Sequence, residues 1–352
     1  AVNVFGRSLA TSVSFFLSLL LITAILGTHL HHSSMMKLIP VSPDIPANLA
    51  DEIHLVNEFL LAEIAPATRR AYASDFRTFS RWCQKKQLAN LPATSQTVAL
   101  FISAEAAQGM KPATIIRRLA AIRYAHESAG YISPTRELLV TATNKGIRRS
   151  VSTAPEQKKP ATVELVRKLV SHCPDTLVGL RDKAIILTGF AGAMRRSELV
   201  ALKVEDIQFM DKGMRITVRS SKTDQEGAGQ AIPIYKGSNL RVVETLQHWL
   251  QRANIQHGSI FRPFTKSGRL RDKALSDRSV ALILKHYVTV EGLNPSDFAG
   301  HSLRSGFLTS AAQRGASIFK MLEVSRHKKI DTLRSYVRMA EEFDDHAGKD
   351  FL

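Results

Sequence analysis

Apolar residues in the first part of the chain return every three or four positions. From Asp51-Glu52 onward, Ile53, Val56, Phe59 and Leu60 share one face of a helix. Pro66-Ala67-Thr68 starts a second segment, with Thr68 as the expected N-cap. In it Tyr72, Phe76 and Phe79 form a stripe that Trp82 extends. Aromatics at this spacing read as core rather than as platforms for stacked bases. A third segment runs from Val98 to Ala107 and breaks between Gly109 and Pro112. A fourth sets Ile115, Leu119 and Ile122 on one stripe, with Arg117 opposite and Arg118 on a flank. Ser150 to Pro160 has two prolines and no apolar period, so it reads as a linker. Beyond it the pattern is mixed. Helices are expected over Val163–Ser171, Arg181–Ala191, Arg241–Arg252 and Val280–Tyr287, with a helical turn over Glu198–Leu202. Met214–Val218 and Gln230–Ile234 alternate as strands around a polar turn, Thr223 to Gly229. No internal repeat is visible. The pattern predicts a mainly α protein of the α+β class: a helical N-terminal domain over residues 45–149, a linker over 150–160, and a mixed domain with a small antiparallel sheet over 161–352.

Residues 1–44 do not match the rest of the chain. Leu9 to Leu26 is an apolar run broken by Thr11, Ser12, Ser14, Ser18 and Thr23, behind a single cation, Arg7. Its length suits a signal-peptide core or a short membrane anchor. The preferred expectation is a non-native extension, because Met35-Met36 offers a start and secretion would separate the rest of the chain from its partner.

That partner is indicated by charge. The 352 residues carry 48 Lys and Arg against 31 Asp and Glu, a formal net charge of +17. The sequence pI is near 10.1. A surplus of this size fits a polyanion, and duplex nucleic acid above all. From Lys111 to Arg149 the basic residues are Lys111, Arg117, Arg118, Arg123, Arg136, Lys145, Arg148 and Arg149, opposed only by Glu127 and Glu137. Arg117, Arg118, Arg123, Lys145, Arg148 and Arg149, with Lys158 and Lys159 of the linker, are the candidate phosphate contacts. Cys83 and Cys173, the two cysteines, make neither a metal-ligand spacing nor a disulfide framework, which points to a reducing compartment. No carboxylate pair at two-metal spacing and no phosphate-cradling glycine loop is present, so no metal, nucleotide or other cofactor and no small-molecule substrate is expected.

The candidate chemistry lies in the last domain. Gly300-His301-Ser302-Leu303-Arg304-Ser305-Gly306 places His301 and Arg304 three apart, on one face of a helix. Ser325-Arg326-His327 follows, and Tyr336 lies nine residues beyond His327. Upstream, Met194-Arg195-Arg196-Ser197-Glu198-Leu199 sets Arg195 and Glu198 three apart, so the glutamate can orient the arginine, while Arg196 points about 100° away as an ordinary surface cation. Lys222 stands at the turn between the two strands. A guanidinium fork matches a phosphate, and a tyrosine hydroxyl attacks phosphorus only where its proton is taken and the phosphate held. A lone tyrosine in a helix is normally core; the ordered set argues otherwise.

The order Arg195, Lys222, His301-x-x-Arg304, His327, Tyr336 resembles the tyrosine recombinases, also called the phage integrase family, over roughly Ile45 to Phe343. The resemblance implies a helical, SAM-like DNA-binding domain before the catalytic domain. It implies a site-specific recombinase or integrase in which Tyr336 forms a 3′-phosphotyrosine and frees a 5′-hydroxyl, without metal or ATP. Arg195 and Arg304 would hold the non-bridging oxygens, with Glu198 as support. Lys222 would protonate the leaving oxygen, His301 would accept the tyrosine proton or donate to the phosphate, and His327 would donate to the phosphate. The resemblance further implies double-stranded DNA as partner, a homo-oligomer that is a tetramer in the synaptic complex, and a cytoplasmic, nucleoid-associated location. A type IB topoisomerase and a non-catalytic DNA-binding protein are the alternatives. One position departs: the family often has glycine just before the second histidine, where this chain has Arg326, expected either to contact DNA or to shift His327. After Tyr336 the tail carries Glu341, Glu342, Asp344, Asp345 and Asp350 against Arg338 and Lys349. Acid suits a basic surface on another protomer better than it suits DNA, and the tail is expected to couple subunits.

Overall fold

A computed structural model describes residues 49–151, 158–219, 229–327 and 330–340 of the chain. It divides into two compact units, with the boundary between Pro155 and Glu156. Lys222 and the acidic tail beyond Ala340 lie outside the described residues, as do residues 1–48.

The first unit is helical. Its elements are α1 (Ala50–Ala62), α2 (Pro66–Lys86), α3 (Ser95–Ala107), α4 (Pro112–Ser128) and α5 (Leu138–Ser150). Pro66 and Pro112 stand at the first helical positions, where a missing N–H costs nothing. The N-cap of α2 is therefore Ala65, and Thr68 sits inside the first turn, where its side chain caps nothing. Helix α2 packs on α4, and α3 on α5. Phe79, Phe101, Ile102, Ile115, Ile122 and Val140 are fully buried between them. Phe79 meets Phe101 edge-on at 5.1 Å, and Trp82 meets Phe101 at 5.5 Å, so the aromatic stripe is core. Buried His126 of α4 ties that helix to the loop before α3: its Nε2 accepts from Ala93 N–H at 2.8 Å, which assigns the proton to Nδ1, 2.8 Å from Ile122 O in its own helix.

The second unit contains α6 (Val163–Ser171), α7 (Leu177–Ala191), α8 (Arg196–Ala201), β1 (Ile207–Met210), β2 (Gly213–Val218), β3 (Gln230–Tyr235), α9 (Val242–Arg252), α10 (Asp277–Val290), α11 (Ser302–Ala312), α12 (Ile318–Ser325) and α13 (Asp331–Ala340). The strands form an antiparallel sheet in the order β1-β2-β3. Met214, Ile216 and Val218 of β2 turn inward, with Ile232 and Ile234 of β3 beside them in register. Strands β2 and β3 follow the predicted alternation. Strand β1 escapes it because only Ile207 is partly covered and the next three residues face solvent. Helix α7 is the hub: Ala184, Ile185, Ile186 and Leu187 are all fully buried, and α6, α9 and α11 pack around it.

A smaller apolar cluster of Leu308, Ala312, Met321 and Leu333 ties α13 to α11 and α12. Burying side chains of this size contributes roughly 1.5–3 kcal/mol each. Tyr336 rides on that cluster.

Helix α11 is also fixed at its back. Ala161 N–H donates to Ser302 O at 2.9 Å and Val163 N–H to Ser310 Oγ at 2.9 Å, so the segment leading into α6 lies flat against it. A Cβ at Gly306 would stand 1.8 Å from Ala161 O and 2.3 Å from Ala161 C. Backbone atoms do not give way as a side chain does. Gly306→Ala is expected to destabilise the second unit by about 3 kcal/mol in denaturant unfolding. Gly146→Ala, where a Cβ would meet nothing within 4 Å on helix α5, should be neutral or slightly stabilising.

Candidate active site

Helix α7 ends in a turn that sets out the site. Met194 N–H returns to Gly189 O at 3.0 Å and Ala193 N–H to Phe190 O at 2.9 Å, with Ala193 at φ 43°. The turn aims the Ala193 carbonyl inward and delivers Arg195 as the N-cap of α8. Glu198, in the first turn of that helix, closes back on Arg195. One carboxylate oxygen accepts from the Arg195 backbone N–H at 2.9 Å, and the other from Arg195 Nη1 at 2.6 Å. The spacing of three read in the sequence is thus a geometric grip. Glu198 is 1% exposed, Arg195 18%.

Arg304 enters from the first turn of α11 and is completely buried. Its Nη1 donates to Ala193 O at 2.7 Å, and its Nη2 lies 3.1 Å from His327 Nε2 and 3.3 Å from Nδ1. Its Nε–H has no partner. Among the described residues no carboxylate touches it, so a buried cation is held by a carbonyl and an imidazole alone. Burial, reinforced by the guanidiniums of Arg195 and Arg326, pulls its pKa down to about 9, which leaves it charged at neutral pH. Such a group has the strongest reason to accept an anion.

His327 lies at the end of α12, its Nδ1 2.8 Å from Ser325 Oγ. Burial and the neighbouring Arg304 and Arg195 push its pKa down to about 3, so the ring is neutral near neutral pH. His301, the residue before α11, is lowered in the same sense. Desolvation comes first and the charges of Arg304, Arg195 and Arg196 second, although the residue as a whole remains exposed. Tyr336 is half-buried. Burial raises its pKa against the opposing pull of Arg304, so the phenol is protonated and needs a base. The structure therefore brings Arg195, Glu198, Arg304 and His327 into one bonded network, with Tyr336 within the field of Arg304.

Arg326 does not face solvent, where DNA would meet it. Its side chain is 1% exposed, turned away from solvent, and its Nη2 donates to Glu198 Oε2 at 2.8 Å. This contact was not legible in the sequence, which showed only its place before His327 and not the left-handed turn (φ 59°, ψ 37°) that sends it inward. Arg196 is exposed, as expected, but its stem lies across Gly300, beside His301.

The candidate phosphate contacts of the first unit separate into two groups. Arg117 makes a two-pronged bond to buried Asp75, at 2.7 and 3.0 Å. Arg118 is mostly buried and pairs with Glu105 and Asp75, so it is a structural cation rather than a free one. Arg123 pairs with Glu127 at 3.2 Å. Lys145, Arg148 and Arg149 are exposed on α5. In the linker, Lys158 is half-buried, and Lys159 holds Asp297 through both its ammonium and its backbone N–H, each at 2.8 Å.

A helical unit followed by a mixed unit with this constellation has the architecture of the tyrosine recombinases. Residues 161–342 match the profile of the phage integrase family, and residues 57–129 that of the phage integrase N-terminal SAM-like domain; the chain belongs to the phage integrase family. It is 41% identical over 289 residues to the integrase/recombinase xerD homolog of Selenomonas ruminantium, covering 80% of this chain and 84% of that protein. It is 25% identical to the tyrosine recombinase XerD of Proteus mirabilis, over 78% of this chain and 83% of the relative. The fold is shared with XerH recombinase in a post-cleavage complex with a palindromic difH substrate (TM-score 0.56, 16% identity, 80% of this chain and 78% of that one). It is shared too with a lambda integrase dimer bound to a COC′ core site (TM-score 0.54, 17% identity, 84% and 82%).

The Glu198 grip has a pH signature. Burial acts to raise its pKa, but the charge of Arg326, the Arg195 N–H and the Arg195 guanidinium outweigh it and hold the carboxyl below its ordinary 4.5. A depressed carboxyl adds stability above its unfolded-state value, and that stability is lost as pH falls through the folded one. Glu198→Gln leaves Arg326 buried without its anion and should cost about 3 kcal/mol near neutral pH. The gap to the unsubstituted protein should close as pH falls below 4.5, measured by denaturant unfolding across a pH series.

Proposed function

We propose that this chain is a site-specific recombinase that cuts and rejoins duplex DNA through a covalent link to Tyr336. The observation that carries this is Arg304, a fully buried guanidinium with no carboxylate among the described residues, set beside a second clamped arginine and a half-buried tyrosine. The xerD homolog of Selenomonas ruminantium, similar over most of both chains, supports the same activity.

Tyr336 Oη attacks the scissile phosphorus and forms the P–O(Tyr) bond as the P–O5′ bond breaks. His301 takes the phenolic proton, and Lys222 supplies one to the departing 5′-oxygen. Arg195 and Arg304 meet the non-bridging oxygens, where charge rises in the five-coordinate transition state. Neutral His327, hydrogen-bonded on one side, turns an N–H toward the same phosphate. The linkage keeps the phosphoester's energy, so the reverse attack by a 5′-hydroxyl of another strand reseals DNA without ATP.

The first unit is the proposed DNA-clamping domain, with Lys145, Arg148 and Arg149 as its exposed phosphate contacts. A tetramer on paired sites and a cytoplasmic, nucleoid-associated location belong to the same reading. No helix among the described residues is long and apolar enough to cross a membrane.

Tyr336→Phe keeps the ring's packing and removes the nucleophilic oxygen. It is expected to bind DNA normally and to form no covalent adduct on a nicked suicide substrate, read on a denaturing gel. An undiminished adduct would sink the assignment. The full protein should recombine paired sites, and relaxation of a single supercoiled circle without recombination would favour a topoisomerase instead.

Because side chains supply the positive charge at the phosphate, cleavage should proceed in excess EDTA. Loss of cleavage on chelation, with recovery on adding magnesium, would show that the arginines are not the main source of charge stabilisation.

A further inference from the structure

The residue before the second histidine has no role in the phosphoryl transfer itself, yet it is among the most heavily bonded side chains in the unit. We propose that Arg326 is a positioning residue: from behind the site it fixes Glu198, and through Glu198 the Arg195 arm of the phosphate clamp. This rests on the recombinase reading and deepens it.

The bonds converge from one side chain. Arg326 Nη2 donates to Glu198 Oε2 at 2.8 Å and reaches Ala193 O at 3.3 Å. Its Nη1 donates to Val324 O at 2.7 Å and to Gly192 O at 3.2 Å. Glu198 passes the constraint to Arg195 through two bonds of its own. The Ala193 carbonyl is the same atom that receives Arg304 Nη1. The next residue along the chain is His327. One buried cation thus touches the supports of both arginines and adjoins the histidine.

The backbone argues that the side chain is needed. Arg326 caps α12 at φ 59° and ψ 37°, a left-handed conformation that glycine takes without penalty and a residue with a Cβ does not. Arginine is unfavourable there by conformation and by burial of its charge, and its Nε–H is left without a partner. What offsets these costs is the ion pair with Glu198 and the carbonyls of the α7 turn.

Four charged or titratable groups face Glu198: Arg195 from its own helix start, Arg326 from the end of α12, and Arg304 and His301 from α11. Arg326 is the largest charge opposing the effect of burial on that carboxyl. Without it, Glu198 takes a proton at higher pH. A neutral carboxyl loses its ionic hold on Arg195, and the arm loosens.

The test is single-turnover formation of the covalent adduct on a nicked suicide substrate from about pH 4 to 9, a range that reaches below the ordinary carboxyl value of 4.5. Arg326→Gly suits the left-handed backbone; Arg326→Met, which keeps the stem packed, serves if the glycine variant unfolds. The expected result is a loss of about fivefold at the acid end, the size a one-unit displacement of the limb produces near its midpoint. It should shrink as pH rises, with the acid limb displaced upward by about one unit and single-site DNA binding unchanged. Arg326→Lys should restore much of the acid limb by returning the charge. In the Glu198→Gln background, Arg326→Gly should shift nothing further. A pH profile parallel to the unsubstituted protein's, whether lowered uniformly or not at all, overturns the positioning role and leaves Arg326 a packing residue. A missing adduct from the unsubstituted protein overturns the recombinase reading, and the positioning role falls with it. An adduct from the unsubstituted protein with parallel variant profiles overturns the positioning role alone.

Discussion

A guanidinium buried with no anion beside it among the described residues is the constraint around which the catalytic unit is arranged. Taking a cation out of water costs several kcal/mol unless its donors are met. Arg304 receives one carbonyl, from Ala193, and one neutral imidazole, from His327. Neither carries charge. The carbonyl is available only because α7 ends in a tight left-handed turn at Ala193. The imidazole is available only because the same cations that crowd it keep it unprotonated. The core of α7, α9 and α11 thus holds a charge where charge is unfavourable, a condition that a bound phosphate relieves.

The local balance follows from the same network. Among the described residues, three guanidiniums, Arg195, Arg304 and Arg326, surround a single carboxylate, Glu198. A second acid would have neutralised the site and removed its attraction for a phosphate. With none, Arg326 and Glu198 form a buried pair whose net charge is zero, and Arg195 and Arg304 retain theirs. Positive charge fixed before substrate arrives needs no reorganisation as the transition state forms, which is where preorganised electrostatics act most strongly.

Much of this was legible in the sequence, for reasons that differ by element. Four of the five helices of the first unit announce themselves because their apolar faces recur at helical spacing, and prolines mark the starts of α2 and α4; α5 does not stand out as a segment of its own. The strands β2 and β3 alternate because one face is buried. Strand β1 does not, because three of its four residues face water and pairing alone defines it. Arg195 and Glu198 were legible because an interaction across one helical turn leaves a spacing of three. The Arg326–Glu198 pair was not. It joins residues 128 apart in the chain, through a left-handed cap whose sign no local pattern encodes. The sequence offered only the oddity of a cation where a glycine was expected.

The same distinction applies to the net charge of +17, which counts every cation alike. In the first unit Arg117 and Arg118 satisfy Asp75 and Glu105, and Arg123 faces Glu127. Pairing with buried acids lets Arg117 and Arg118 hold α4 to α2 and α3, whereas Arg123 pairs along its own helix; in each case the partner reduces the field presented to a phosphate. Arg118 shows the limit of reading charge by position: its place on the flank of the apolar stripe turned it inward, toward acids contributed by two other helices. Lys145, Arg148 and Arg149 are exposed on the last turns of α5, where the helix dipole favours positive charge. An electrostatic footprint on DNA is set by such exposed groups, because salt-sensitive affinity counts phosphates neutralised and not arginines present.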